Sequence, residues 1–243
     1  MKPFLFLGTR AEDAAADDEY AAVLRFSGLD EPDVRRRRLE RESLGTWDLE
    51  DWSGVILGGG PFNISDPFEE KSLVQRRVEH ELHELALAAV AADFPFFGAC
   101  YGIGTLGSLQ GGLVDRTYGE PIGAVRMRQT AEGLADPLFS VLPETFDAFL
   151  GHKEAVTVMP RGGVLLAGSA ACPVQAFRLG RNVYATQFHP ELDRDGLCLR
   201  IDTYRHHGYF DPPQADELMR LARASVVTEP PRLLGRFVEL YAR

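Results

Sequence analysis

The segment Phe94-Pro95-Phe96-Phe97-Gly98-Ala99-Cys100-Tyr101-Gly102 constrains the chain more than any other. A short apolar run ends in a cysteine held between two glycines, at the spacing Gly-x-Cys-x-Gly. The pattern predicts a buried strand that turns sharply into a helix and leaves the cysteine exposed at the corner. Such a turn has no room for side chains beside the cysteine, which accounts for Gly98 and Gly102. The helix behind Cys100 would aim free N–H groups and its positive dipole end at the sulfur, favouring the thiolate. A buried structural cysteine has the same local pattern, so the segment alone does not assign chemistry.

A second segment does. Gln187-Phe188-His189-Pro190-Glu191 follows the strand-like Asn182-Val183-Tyr184-Ala185-Thr186. Pro190 disfavours the helical region for His189, which predicts an extended tripeptide with His189 and Glu191 on one face. A histidine oriented by a carboxylate is the base that a thiol nucleophile requires. A third feature is Ile56-Leu57-Gly58-Gly59-Gly60-Pro61, a strand opening onto glycines whose backbone N–H groups can face a developing oxyanion. No Gly-Lys-Ser/Thr follows, so a Walker phosphate loop is rejected.

Taken in this order, the three motifs resemble those of class I (triad-type) glutamine amidotransferases, including the glutaminase portion of GMP synthase. They span residues 56 to 191. The resemblance implies an α/β fold with an open, mostly parallel central sheet flanked by helices and an antiparallel extension, flavodoxin-like in architecture. It implies Cys100, His189 and Glu191 as the catalytic residues, the N–H groups of Gly60 and Tyr101 as the oxyanion hole, and Gly59, Gly104 and His152 as substrate-binding positions. His152 could equally cap a loop. The substrate implied is glutamine or a γ-glutamyl compound, with no cofactor and no metal.

One position departs from the family pattern. Relatives usually carry Gln or His four residues after the nucleophile, where it helps hold the substrate; here Gly104 stands there. Either it opens space for a larger γ-glutamyl substrate or it eases helix packing. The expected reaction is therefore cleavage of the glutamine side-chain amide through a cysteine thioester. The alternatives are hydrolysis of γ-glutamyl conjugates by the same triad, or a non-catalytic regulatory relative. No synthetase unit is expected within the chain, so an ammonia acceptor would be a separate synthetase.

The bulk properties exclude other classes. A net charge of −10 argues against partners held by their phosphates, whether nucleic acid or an anionic membrane surface. Three cysteines without framework spacing fit a reducing, cytoplasmic setting. The apolar start, Phe4 to Leu7, is too short for a signal peptide and reads as a first core strand. No run approaches transmembrane length. Residues 1–243 are expected to form one domain with a C-terminal helical extension from about 194.

Further elements follow the apolar periodicity. A helix is expected from Ala11 to Phe26, and another from a cap at Asp66, with the stripe Val74, Val78, Leu82, Leu85 and Ala89. Arg35 to Arg38, inside the strand expected from Val34 to Leu39, read as a solvated edge strand. His80 and His83 lie one turn apart without a third metal ligand and read as surface residues. Gly102-Ile103-Gly104-Thr105-Leu106-Gly107 matches a dinucleotide fingerprint but lies deep in the chain, with no βα unit following; nucleotide binding is not expected. Strands are expected from Pro121 to Gln129, Phe146 to Leu150, Val164 to Ala167, Val174 to Leu179 and Asn182 to Gln187. Helices follow near 195–206, 213–224 and 231–242.

Overall fold

A computed structural model describes residues 1–208 and 210–243. The chain opens with β1 (Phe4–Gly8), α1 (Asp13–Ser27), β2 (Val34–Arg38), β3 (Val55–Leu57), α2 (Leu73–Ala91), β4 (Phe96–Ala99) and α3 (Tyr101–Gly107). It continues through β5 (Leu113–Asp115), β6 (Glu120–Gln129), α4 (Ala131–Ala135), β7 (Thr145–His152), β8 (Ala155–Val158), β9 (Val164–Ser169), β10 (Ala176–Leu179) and β11 (Val183–Thr186). Three helices close it: α5 (Arg194–Thr203), α6 (Ala215–Ala224) and α7 (Arg232–Tyr241).

A nine-stranded sheet runs in the order β2-β1-β3-β4-β11-β10-β9-β6-β7. The first five strands of that order are parallel, and the remaining pairings are antiparallel. The parallel part has the doubly wound order found in flavodoxin-like folds, in which ligands collect at the carboxyl ends of the strands. The open α/β sheet with an antiparallel extension is thus as the resemblance implied.

Alternation along the parallel strands builds two cores. Leu5, Leu7, Val55, Leu57 and Phe96 face α2 and α3, while Phe4, Phe6, Ile56 and Phe97 face α1 and α7. Phe237 of α7 meets both Phe4 and Phe97, with ring centroids 6.0 and 5.7 Å apart. Burying a side chain of that size contributes about 1.5–3 kcal/mol, which secures α7 against the sheet. A third cluster joins Phe149 of β7 to Leu197, Ile201 and Ala222, fixing α5 and α6 beside the antiparallel half.

β2 is an edge strand, as its arginines predicted, and they are paired: Arg36 with Asp17, Arg37 with Glu42, and Arg38 with Asp13 and Glu40. His80 and His83 are exposed on α2. Two expectations differ from the structure. No α-helix starts at Asp66: a single 3₁₀ turn covers Phe68–Glu70, and α2 begins at Leu73 with Ser72 as its cap. The Asp66 carboxylate accepts instead from Asn63 and Arg116, so it is unavailable as a cap. The small antiparallel sheet β5–β8 was not anticipated. Among the described residues no helix is long and apolar enough to cross a membrane.

Candidate active site

Strand order brings the distant motifs together. β4 and β11 are parallel neighbours, with Ala99 paired to Thr186. Cys100 follows the end of one strand and His189 lies three residues past the end of the other. The Cys100 N–H donates to the Thr186 carbonyl (2.8 Å), locking the two exits together. β3 lies on the other side of β4, so Gly58–Gly60 emerge at the same edge, and the end of β1 adds Thr9 and Arg10.

The predicted corner is present. Cys100 has φ 51° and ψ −89°, a conformation costing of order 1–3 kcal/mol for a residue with a side chain. A Cβ on Gly98 would lie 2.9 Å from the Cα of Gly102, so only glycine lets strand and helix approach this closely. Cys100 is partly exposed, whereas Cys172 and Cys198 are buried. Burial pushes the Cys172 thiol up to about 11, which leaves it inert.

His189 lies beside Cys100 in one crevice, and its Nδ1 lies 2.7 Å from Glu191 Oε1. The pair does not form on an extended strand as expected. His189-Pro190-Glu191-Leu192 is a turn closed by the Leu192 N–H to the His189 carbonyl (3.3 Å), with Pro190 at the position its fixed φ favours. The turn folds the carboxylate back onto the ring. Burial opposes a charge on His189, but Glu191 and the Cys100 sulfur outweigh it and raise the imidazole to about 9. Burial would likewise raise Glu191, but His189 and Arg200 outweigh it and hold the carboxyl far below the usual range.

Around this pair lies a charge cluster that the sequence did not reveal. Arg200 of α5 donates through Nη2 to Glu191 Oε1 (2.9 Å) and Glu19 Oε1 (3.3 Å). Arg10 Nε donates to the same Glu19 oxygen (3.0 Å), as does the Gly59 N–H (3.2 Å). Arg10, Glu19, His189, Glu191 and Arg200 are between 1% and 6% exposed. The two arginines and two carboxylates offset one another, which is what allows these four charges to be buried together.

The remaining predicted residues separate into two groups. Gly60 and Tyr101 border the crevice beside Cys100, and neither backbone N–H has an acceptor among the described residues. A Cβ on Gly60 would overlap Thr9 Oγ1, so the loop can approach this closely only as glycine. His152 lines the same crevice, but its nitrogens are engaged: Nδ1 at 2.9 Å from the Glu154 carbonyl and Nε2 at 3.0 Å from Glu120 Oε2. Gly59 and Gly104 do not border it. Gly59 spends its N–H on Glu19, and Gly104 is buried beneath Ile64 and Glu154.

Gly104 therefore opens no space for a larger substrate. Its unoccupied volume is filled by the Glu154 carboxylate, which accepts from the N–H groups of Ile64 (2.8 Å) and Ser65 (2.7 Å). Among the described residues two clusters have ligand atoms close enough for a metal: Glu120, His152 and Cys172, and Glu19, His189 and Glu191. In both, the carboxylates are already committed to hydrogen bonds with Gln175 and Ser169, or with Arg10 and Arg200.

Two crevices meet at Cys100, sharing Gly60, Cys100 and Gly151. One is polar and includes Asn63, Tyr101, His152, Glu154 and Gln187. The other lies on the His189 side and includes Arg10, Arg200 and Tyr204 among aliphatic residues. A partly exposed thiol, a histidine beside it, a carboxylate behind the histidine and free N–H groups alongside form the constellation needed for acyl transfer.

The sequence is similar to GMP synthase (glutamine-hydrolyzing) of Marinobacter nauticus, at 30% identity over 148 residues, covering 57% of this chain and 25% of that protein. It is similar to the GMP synthase (glutamine-hydrolyzing) of Lactobacillus delbrueckii subsp. bulgaricus at 30% over 180 residues, 72% of this chain and 32% of that protein. The chain thus spans only a quarter to a third of the curated relatives it matches. In fold it resembles a glutamine amidotransferase from Thermotoga maritima, with a TM-score of 0.75 at 18% identity over 100% of this chain and 99% of that one. A glutamine amidotransferase from Methylobacillus flagellatus superposes with a TM-score of 0.69 at 18% identity, over 98% and 95% of the two chains. The family described as glutamine amidotransferase class-I matches residues 31–195, more than half of the sequence, and the chain belongs to that family.

Proposed function

We propose that the protein hydrolyses the side-chain amide of glutamine through a thioester on Cys100, giving glutamate and ammonia. The reading rests above all on the placement of His189 beside Cys100 in one crevice, with Glu191 Oε1 2.7 Å from the ring's Nδ1. In the first step, with the thiol proton already resting on His189, the sulfur attacks the amide carbonyl. The negative charge that develops on the carbonyl oxygen falls between the N–H groups of Gly60 and Tyr101, whose loss typically costs roughly 10²–10³ in rate per donor. Collapse of the tetrahedral intermediate breaks the C–N bond, and His189 delivers its proton to the leaving nitrogen. Water, activated by the same imidazole, then breaks the S–C bond and restores the thiol. Glu191 holds the ring and balances its charge throughout.

The polar crevice is the side on which we place the amino-acid end of the substrate, with Asn63, Glu154 and Gln187 as its polar lining. A synthetase activity would accept the ammonia, since the curated relatives are glutamine-hydrolyzing GMP synthases. The test is ammonia release from glutamine by the wild type and by Cys100→Ala. Release by the wild type that falls to background in the variant supports the reading. Release that persists within tenfold in the variant contradicts it.

A further inference from the structure

The aliphatic side of the crevice beside His189 takes no part in the steps above, and its position restricts what part it can take. The proton that expels the leaving group comes from His189, so the leaving nitrogen must depart on that ring's side of Cys100. His189 and Cys100 both border this crevice, whereas His189 does not border the polar one. Beside Arg10, Arg200 and Tyr204, its walls carry five aliphatic side chains, Ile122, Leu150, Leu192, Leu197 and Ile201, drawn from β6, β7, the turn after His189, and α5. The cavity itself is about 60 Å³, room for a small substituent. Ammonia makes no use of five aliphatic side chains. An alkyl or aryl group on the same nitrogen would be buried against them.

We propose that this crevice receives an apolar N-substituent on the leaving amine. The preferred substrates are then γ-glutamyl amides of alkyl- or arylamines, cleaved in preference to unsubstituted glutamine. The proposal rests on the thioester reading above and changes only what leaves. The steps balance in the same way. The Cys100 S–C bond forms and the C–N bond breaks as His189 protonates the departing amine. Water then breaks the S–C bond, giving glutamate, the free amine and the regenerated thiol. Each methylene added in an apolar pocket discriminates by about 10–200-fold, so even a short alkyl chain produces a measurable preference.

The direct test compares kcat/KM for glutamine, γ-glutamyl ethylamide and γ-glutamyl isobutylamide, whose alkylamine leaving groups have similar basicity. The isobutylamide is expected to exceed glutamine at least tenfold, with the ethylamide between them. Ile122→Trp, which fills the crevice, should lower the isobutylamide-to-glutamine ratio at least tenfold. Leu197→Ala, which widens it, should move the optimum to a longer amine. Glutamine turnover equal to or above that of both alkylamides would overturn the proposal while leaving the thioester reading intact; the crevice would then be only a way out for ammonia. A ratio unmoved by either substitution would overturn it as well. Failure of all three amides to acylate Cys100 would overturn the underlying reading itself.

Discussion

Glu154 occupies the space above Gly104: its Oε1 would lie 3.2 Å from a Cβ at that position, and the carboxylate is tied to two backbone N–H groups of the 64–65 loop. Relatives with a longer side chain four residues after the nucleophile can direct it at the substrate, but here that volume belongs to a second residue. Gly104→Gln is therefore expected to disturb the loop, destabilising the fold by about 1–3 kcal/mol and lowering turnover. Urea unfolding and glutamine kinetics would show both losses. A variant of unchanged stability with a lower KM for glutamine would show that the position is open to the substrate.

The positive φ of Cys100 separates its chemical from its structural contribution. Cys100→Ala retains the strain and is expected to unfold within about 1 kcal/mol of the wild type. Cys100→Gly relieves it and should be about 1–3 kcal/mol more stable than the alanine variant. Urea midpoints at a common m-value decide the matter. An alanine variant as stable as the glycine variant would mean that the corner is not strained.

His189 and Glu191 contribute unequally. His189→Ala removes the proton carrier and should lower kcat by about 10⁴–10⁶. Glu191→Gln retains an oxygen that can accept from Nδ1 but removes the charge that raises the ring, and should cost about 10²–10⁴. Equal losses, or a larger loss for Glu191→Gln, would contradict these roles.

The titration of His189 links the site to stability. Its imidazole rises from an ordinary value near 6.5 to about 9 on folding, so the folded state binds the proton more tightly. The resulting stabilisation is complete below pH 6.5 and is lost as the pH rises through 9. Its upper bound is about 3 kcal/mol. Glu191 acts in the opposite sense: its depressed carboxyl adds stability above the unfolded carboxyl range, lost on acidification. Urea unfolding of wild type and His189→Ala at pH 6.5 and 9.5 should show a larger loss for the wild type. Parallel losses in the two proteins would contradict the assignment.

The parts of the site that were legible in the sequence are those fixed by local chemistry. Gly98 and Gly102 announced the corner at Cys100, and the glycine run after Leu57 announced a loop at the same sheet edge. The sequence marks His189 and Glu191 as a pair, but the proline between them suits a turn as well as an extended stretch, and the turn is what forms. Arg10, Glu19 and Arg200 were missed because nothing local marks them. Glu19 follows Asp17 and Asp18 in an acidic run that gives no local sign of burial, and Arg200 reaches it across 181 positions of sequence. Only the strand order, which places the end of β1 beside the end of β3, brings Arg10 to the site. The β5–β8 sheet escaped notice because its strands are short, with Leu113 and Val158 half exposed, so neither shows an alternating apolar face.

The measurement that bears most directly on the central claim is peptide mapping after exposure to a glutamine analogue carrying a γ-electrophile. The account predicts one adduct per chain, on Cys100, with Cys172 and Cys198 unmodified and with labelling slowed by prior addition of glutamine. An unlabelled Cys100, or label confined to the other two cysteines, would contradict it.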